Sequence, residues 1–108
     1  MLKLSFFQRN KMKNKKSEEV VLRYVTLTYE DVPGRTVMVA GSFNDWQPVK
    51  QLTDKNGDGV YRCRLKLAAG EYQYKFVVDG VWCLDSANPN FTPNDIGSLN
   101  SVLSVKNK

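Results

Sequence analysis

Histidine is absent from the 108 residues. Without an imidazole no Ser-His-Asp or Cys-His nucleophile can be assembled, and the most versatile zinc ligand is missing. Only two cysteines are present, Cys63 and Cys83. They are too few for a disulfide scaffold and lack metal-ligand spacing. No apolar run approaches the ~20 residues that a membrane-spanning helix requires, and Leu4-Ser5-Phe6-Phe7 is too short for the core of a signal peptide. These absences lead us to expect a soluble, cytoplasmic chain with no metal site, no cofactor and no imidazole-based catalysis.

The length allows one domain with one core, and 42% hydrophobic and 11% aromatic residues exclude wholesale disorder. A net charge of +5 invites a nucleic-acid reading until it is mapped. Residues 1–17 carry Lys3, Arg9, Lys11, Lys13, Lys15 and Lys16 and no acid, whereas the other 91 residues hold 10 basic and 11 acidic side chains. Basicity therefore describes a tail, not the folded surface. The expected organisation is a basic, disordered tail over residues 1–18 and one folded module over 19–108, with nucleic acid disfavoured as the main partner.

The module reads as short strands separated by turns. Val20 to Tyr29 is rich in Val, Thr, Leu and Tyr, and Pro33-Gly34 then supplies a turn. Thr36 to Ser42 is a second strand. In Val60 to Leu67, Tyr61, Cys63, Leu65 and Leu67 alternate with Arg62, Arg64 and Lys66, and Glu71 to Val78 repeats the pattern with Tyr72, Tyr74, Phe76 and Val78 facing inward. Ser101 to Val105 is a last strand after the irregular polar stretch Asp85 to Asn100. With no helical periodicity beyond a turn or two, the expected fold is all-β, an immunoglobulin-like antiparallel β-sandwich.

Register follows from the turns. Asp79-Gly80 is a two-residue hairpin signal that pairs Val78 with Val81, Val77 with Trp82 and Phe76 with Cys83. A hairpin through Ala68-Ala69-Gly70-Glu71 would pair Leu67 with Tyr72, Cys63 with Phe76 and Arg64 with Lys75. Cys63 and Cys83 would then flank Phe76 about 9–10 Å apart, too far for a disulfide. They are expected to be small buried hydrophobes.

Two tryptophans stand where turn chemistry lifts a ring toward solvent: Trp46 after Asn44-Asp45, and Trp82 after Asp79-Gly80. An indole face suits the apolar C–H face of a pyranose, while nearby donors such as Lys75 suit the hydroxyls around its edge. Two competing readings use the same residues. Exposed Trp and Arg also anchor protein partners, and Trp with Arg62, Arg64 and Lys75 could stack and neutralise single-stranded nucleic acid.

Other chemistry is poorly supported. Asp54-Lys55-Asn56-Gly57-Asp58-Gly59 begins like a calcium loop, but Leu65 occupies the place of the bidentate Glu and no helices flank the segment. A polar hairpin is the better reading. The carboxylate pairs Asp45 with Asp79 and Asp85 with Asp95 lie in turn-like segments, where stabilising the turn is the default role. No catalytic residue is expected.

Gly41-Ser42-Phe43-Asn44-Asp45-Trp46, Gly70 to Trp82 and Ile96 to Leu103, taken in order and spacing, resemble the glycogen-binding domain of the β subunits of AMP-activated protein kinase. That domain belongs to carbohydrate-binding module family 48, the isoamylase N-terminal-like family. The resemblance spans roughly residues 20–105 and implies non-catalytic binding of α-1,4-linked glucans such as glycogen, starch or maltooligosaccharides. It assigns stacking to Trp46 and Trp82 and hydrogen bonding to Lys75 and Asn100. Ile96 takes the place of an apolar residue against the sugar, and Ser98 that of a neighbouring hydroxyl. At these two positions the family carries Leu and Thr. The partners implied are an α-glucan and a glycogen-metabolising enzyme or kinase complex.

Overall fold

The computed structural model describes residues 20–107, so the tail expected over residues 1–18 lies outside the described residues. Eight strands follow in order: β1 (Leu22–Glu30), β2 (Val37–Gly41), β3 (Lys50–Leu52), β4 (Val60–Ala68), β5 (Gly70–Val78), β6 (Val81–Cys83), β7 (Phe91–Pro93) and β8 (Leu99–Val105). Among the described residues there is no helix. β1 and β4 form one antiparallel sheet. The other runs β3-β2-β5-β8-β7, with β6 also paired to β5. All pairings are antiparallel, as expected for the sandwich.

Inward-facing residues of both sheets make one core: Leu27 from β1, Val37 and Val39 from β2, Leu52 from β3, Tyr61 and Cys63 from β4, and Tyr74, Phe76 and Val78 from β5. Phe76 is fully buried. Its ring meets Tyr74 edge-on at 5.7 Å and Tyr29 of the opposite sheet at 5.3 Å, so one side chain ties the layers together. Burying a side chain of this size is worth about 1.5–3 kcal/mol.

The Asp79-Gly80 hairpin has the expected register, Phe76 opposite Cys83, Val77 opposite Trp82 and Val78 opposite Val81. Both turn residues have positive φ, 49° and 84°, which matches the twist of the flanking strands.

The expected β4–β5 hairpin does not form. β4 pairs with β1, setting Arg64 opposite Thr26 and Cys63 opposite Leu27, while β5 pairs with β2 and sets Lys75 opposite Ala40. The chain turns a corner between the sheets at Ala69, and Gly70 enters β5 with φ +149°, a conformation closed to residues with a Cβ. Alternation identifies the buried face of each strand but not whether two such faces meet side by side or across a core. Cys63 and Cys83 are nonetheless both free. They contact the core from different sheets.

Two strands carry no readable pattern. β3 offers a single core residue, Leu52. β7 holds Pro93 at its end and lies at the sheet edge, the place where Pro is tolerated. The Asp54–Gly59 segment is the expected polar hairpin: the Asp54 carboxylate accepts from the Asp58 and Gly59 amides at 3.1 and 2.8 Å. Desolvation opposes them, yet those bonds together hold its pKa below the ordinary carboxylate range.

Candidate functional site

One open cleft of about 290 Å³ on the larger sheet is lined by Trp46, Lys75, Trp82, Asn94, Asp95, Ile96 and Asn100. Five of the six residues singled out from the sequence thus line one wall-and-floor arrangement. The sixth, Ser98, accepts a 2.8 Å hydrogen bond from Lys75 Nζ.

Three local structures build it. The first is the Gly41–Trp46 turn. Gly41 lies so close to its neighbours that a Cβ would sit 2.6 Å from the Gln73 carbonyl oxygen and 2.7 Å from the Phe43 ring; no other residue fits. The Asn44 side chain accepts from the Gly41 amide at 2.9 Å, and the Trp46 amide donates to the Gly41 carbonyl at 2.9 Å. Asp45 and Trp46 are thereby held at φ 56° and 58°. Left-handed backbone costs ordinary residues roughly 1–2 kcal/mol each, and a Trp in that conformation is a strained residue kept for where it puts its ring. Trp46 is half-buried, so it is less displayed than its turn suggested.

The second is the β5–β6 hairpin. Lys75 and Val77 share the outer face of β5 because side chains alternate, and Trp82 lies directly opposite Val77. Trp82 is 45% exposed. Val77 is nevertheless buried, flanked by Met38 on β2 and Trp82 on β6.

The third is the loop between β7 and β8, and here sequence reading missed the organising residue. Asn94 Oδ1 accepts from the Ile96 and Ser98 amides at 3.1 and 2.9 Å, its own amide donates to the Ser98 carbonyl at 2.9 Å, and its Nδ2 donates to Asn100 Oδ1 at 3.0 Å. The readable signal was Asn-x-x-Gly, an Asn folding back on its own backbone before a Gly. The result lifts Ile96 to 86% exposure at the rim. Asn100 is instead buried and committed at both ends, since its Nδ2 also donates to Gln73 Oε1 at 2.9 Å.

What such a cleft can do chemically follows from its lining. Two indoles and one aliphatic rim residue offer apolar contact. The Lys75 ammonium has three donors, of which Ser98 takes one. Asp95 is the single carboxylate among the lining residues, whereas glycoside hydrolysis needs two held across the bond. The other acids serve the fold. Asp79 accepts from the Thr36 amide at 2.8 Å and Arg35 at 3.0 Å, both of which hold its pKa below the ordinary carboxylate range. Asp85 is buried and accepts from the Tyr74 hydroxyl at 2.6 Å and the Ala87 amide at 3.1 Å. Desolvation, with that hydrogen bond second, pushes the Tyr74 hydroxyl well above its usual range. Among the described residues no group of three or more acids and thiols could hold a metal ion.

Arg62 and Arg64 lie elsewhere, exposed on β4 in the smaller sheet, where Arg64 sits 4.2 Å over the Tyr24 ring. They do not join Lys75 and the tryptophans.

A β-sandwich that presents aromatic rings and a few polar groups in a shallow cleft, without paired acids, is the form of a non-catalytic carbohydrate-binding module. A family model described as the glycogen recognition site of AMP-activated protein kinase matches residues 23–108. The chain belongs to that family. It is 40% identical over 73 residues to the beta-2 subunits of 5'-AMP-activated protein kinase from Mus musculus and Homo sapiens, a stretch covering 68% of this chain and 26% of each relative. It is 37% identical over 73 residues to a beta-1 subunit from Sus scrofa, covering 57% of that protein. The match thus spans about a quarter of the length of the beta-2 relatives. No helix among the described residues is long and apolar enough to cross a membrane.

Proposed function

We propose that this chain binds α-1,4-linked glucan chains of glycogen or starch in the cleft between Trp46, Trp82 and the β7–β8 loop. The observation that carries the reading is the convergence of Trp46, Lys75, Trp82, Ile96 and Asn100 on one cleft, from positions as far apart as the turn after β2 and strand β8. Trp82 and the edge of Trp46 stack against sugar faces, and Ile96 presses on the chain from the rim. Lys75, steadied by Ser98, donates to hydroxyls. Asn100 contributes its second N–H or lone pair from the floor.

Stacking supplies about 0.5–1.5 kcal/mol per ring, hydrogen bonds to the ammonium about 1.5–3 kcal/mol, and association entropy removes several. The outcome is a weak site, roughly micromolar to millimolar, that a branched polymer strengthens by multivalency. Residues 19–108 are the binding module and residues 1–18 an appended tail. The kinase subunits among its relatives make a kinase complex the favoured protein partner, and two free thiols fit a reducing, cytoplasmic location.

Affinity electrophoresis tests the ligand class. Native gels containing glycogen or amylopectin should retard the protein, and cellulose derivatives should not, because a cleft walled by two turn-borne indoles suits a curved chain better than a flat ribbon. Equal retention on both polymers would overturn the assignment.

A further inference from the structure

Trp46 lines a second cleft as well as the first. This one holds about 480 Å³ and is walled by Ser42, Glu71, Gln73, Thr92 and Val102 together with Trp46. Gln73 and Glu71 occupy the same outer face of β5 as Lys75, two and four residues along the strand, so the two clefts lie end to end on one sheet. From Lys75 to Glu71 the strand advances about 13 Å.

Their floors are joined. Asn100, in the first cleft, donates to Gln73 Oε1 in the second at 2.9 Å, and Val102 is the register partner of Gln73 on β8. Ser42 fixes the far wall by a double contact with the Gln73 backbone, its amide donating to the carbonyl at 2.9 Å and its hydroxyl accepting from the amide at 3.1 Å. The indole of Trp46 is thus a ridge between two compartments of one groove.

The compartments differ in chemistry. The first has two indoles and Ile96. The second offers a carboxylate, a carboxamide and two hydroxyls, and one apolar side chain besides the shared indole. The Glu71 carboxylate is exposed and forms no ion pair among the described residues. As an acceptor-only group with two oxygens it matches neighbouring hydroxyl donors and repels anions. Gln73 keeps its side-chain NH₂ for donation, because its oxygen is the atom committed to Asn100.

We propose that this second cleft is an extension subsite that takes the next sugars of a neutral glucan chain after it has crossed Trp46, with Glu71, Gln73 and Thr92 hydrogen bonding to hydroxyls. The inference rests on the glucan reading of the first cleft and adds the length of chain the module reads. A chain confined to the first cleft gains nothing from Glu71 or Thr92.

The test is isothermal titration of the full chain with linear maltooligosaccharides of increasing length, from a trimer to a decamer, for wild type, the Glu71→Ala/Thr92→Ala double variant, Glu71→Gln and Trp82→Ala. Thermal melts confirm that each is folded. Wild type should gain at least fivefold in affinity between the short and long ligands. The double variant should bind the short ligand as wild type does and gain no more than about twofold, the residue left by the larger number of binding registers on a long chain. Glu71→Gln should fall between. A double variant that keeps the full gain with length, or that loses the short ligand, overturns the extension while leaving the first cleft intact. Trp82→Ala should weaken every length alike; if it weakens none, the glucan reading and the extension both fall. Should the double variant melt, Glu71→Gln alone decides, since it preserves shape and removes only the charge.

Discussion

Lys75 on β5 reaches across to the β7–β8 loop and donates to the Ser98 hydroxyl, Nζ to Oγ 2.8 Å. One bond of this kind orients the ammonium without consuming it. Ser98→Ala should therefore loosen the lysine and lower glucan affinity by less than about fivefold, whereas Lys75→Met should lower it about tenfold or more, in line with about 1.5–3 kcal/mol for hydrogen bonds to a charged group. Calorimetry with maltoheptaose gives both numbers. Equal losses in the two variants would mean that the hydroxyl contacts the sugar itself.

The two tryptophans should separate in stability though not in binding. Trp82 is half-exposed on a three-residue strand, so Trp82→Ala should cost about tenfold in affinity and leave the melting temperature within a degree or two. Trp46 is more buried and sits at φ 58°. Its replacement by Ala removes packing but leaves the left-handed strain, and is expected to lower both affinity and the melting temperature. Trp46→Gly relieves that strain at about 1–2 kcal/mol and should melt higher than Trp46→Ala. The reverse order would place the strain elsewhere.

Most of the site was legible because its residues lie beside strong local signals. Asp79-Gly80 determined a register, and the register put Trp82 on the face of Lys75. What escaped depends on contacts distant in sequence. Nothing in the alternation of Val60 to Val78 distinguishes strands paired in one sheet from strands packed across a core, and only Gly70 marked the corner. Asn94 went unremarked among the other polar residues of Asp85 to Asn100, because an Asn that organises a loop differs from a solvated one only in where its partners end up. Gly41 and Asn44 were visible as a turn, but the close approach of the Gln73 carbonyl that forbids a side chain at position 41 required the fold.

Alkaline stability should carry the signature of Tyr29. Desolvation first, and then its 2.9 Å hydrogen bond to the Asp31 carboxylate, pushes the Tyr29 hydroxyl up to about 12 from its ordinary value of 10.0. A raised acid stabilises the fold fully below the unfolded value and loses that contribution as pH rises through the window between them, because there only the unfolded chain releases the proton. Between pH ~10 and ~12 the urea midpoint should fall, and fall less steeply in Tyr29→Phe. Parallel slopes for the two proteins would refute the assignment to this residue.

Charge on the opposite sheet should be irrelevant to sugar. Arg62 and Arg64 project from β4, and Arg64 lies 4.2 Å over Tyr24, in the sheet that does not carry the cleft. An uncharged glucan releases no counterions, so its affinity should change by less than about twofold between low and ~0.5 M salt, whereas contacts to phosphates weaken steeply over that range. Replacing both arginines with Gln should likewise leave maltoheptaose binding unchanged. The nucleic-acid reading makes the opposite demand, since it needs these cations and the indoles to act on one ligand. If the double variant or high salt reduced maltoheptaose affinity several-fold, the main ligand surface would have to include β4, and the outer face of the larger sheet would lose its claim to hold the whole site.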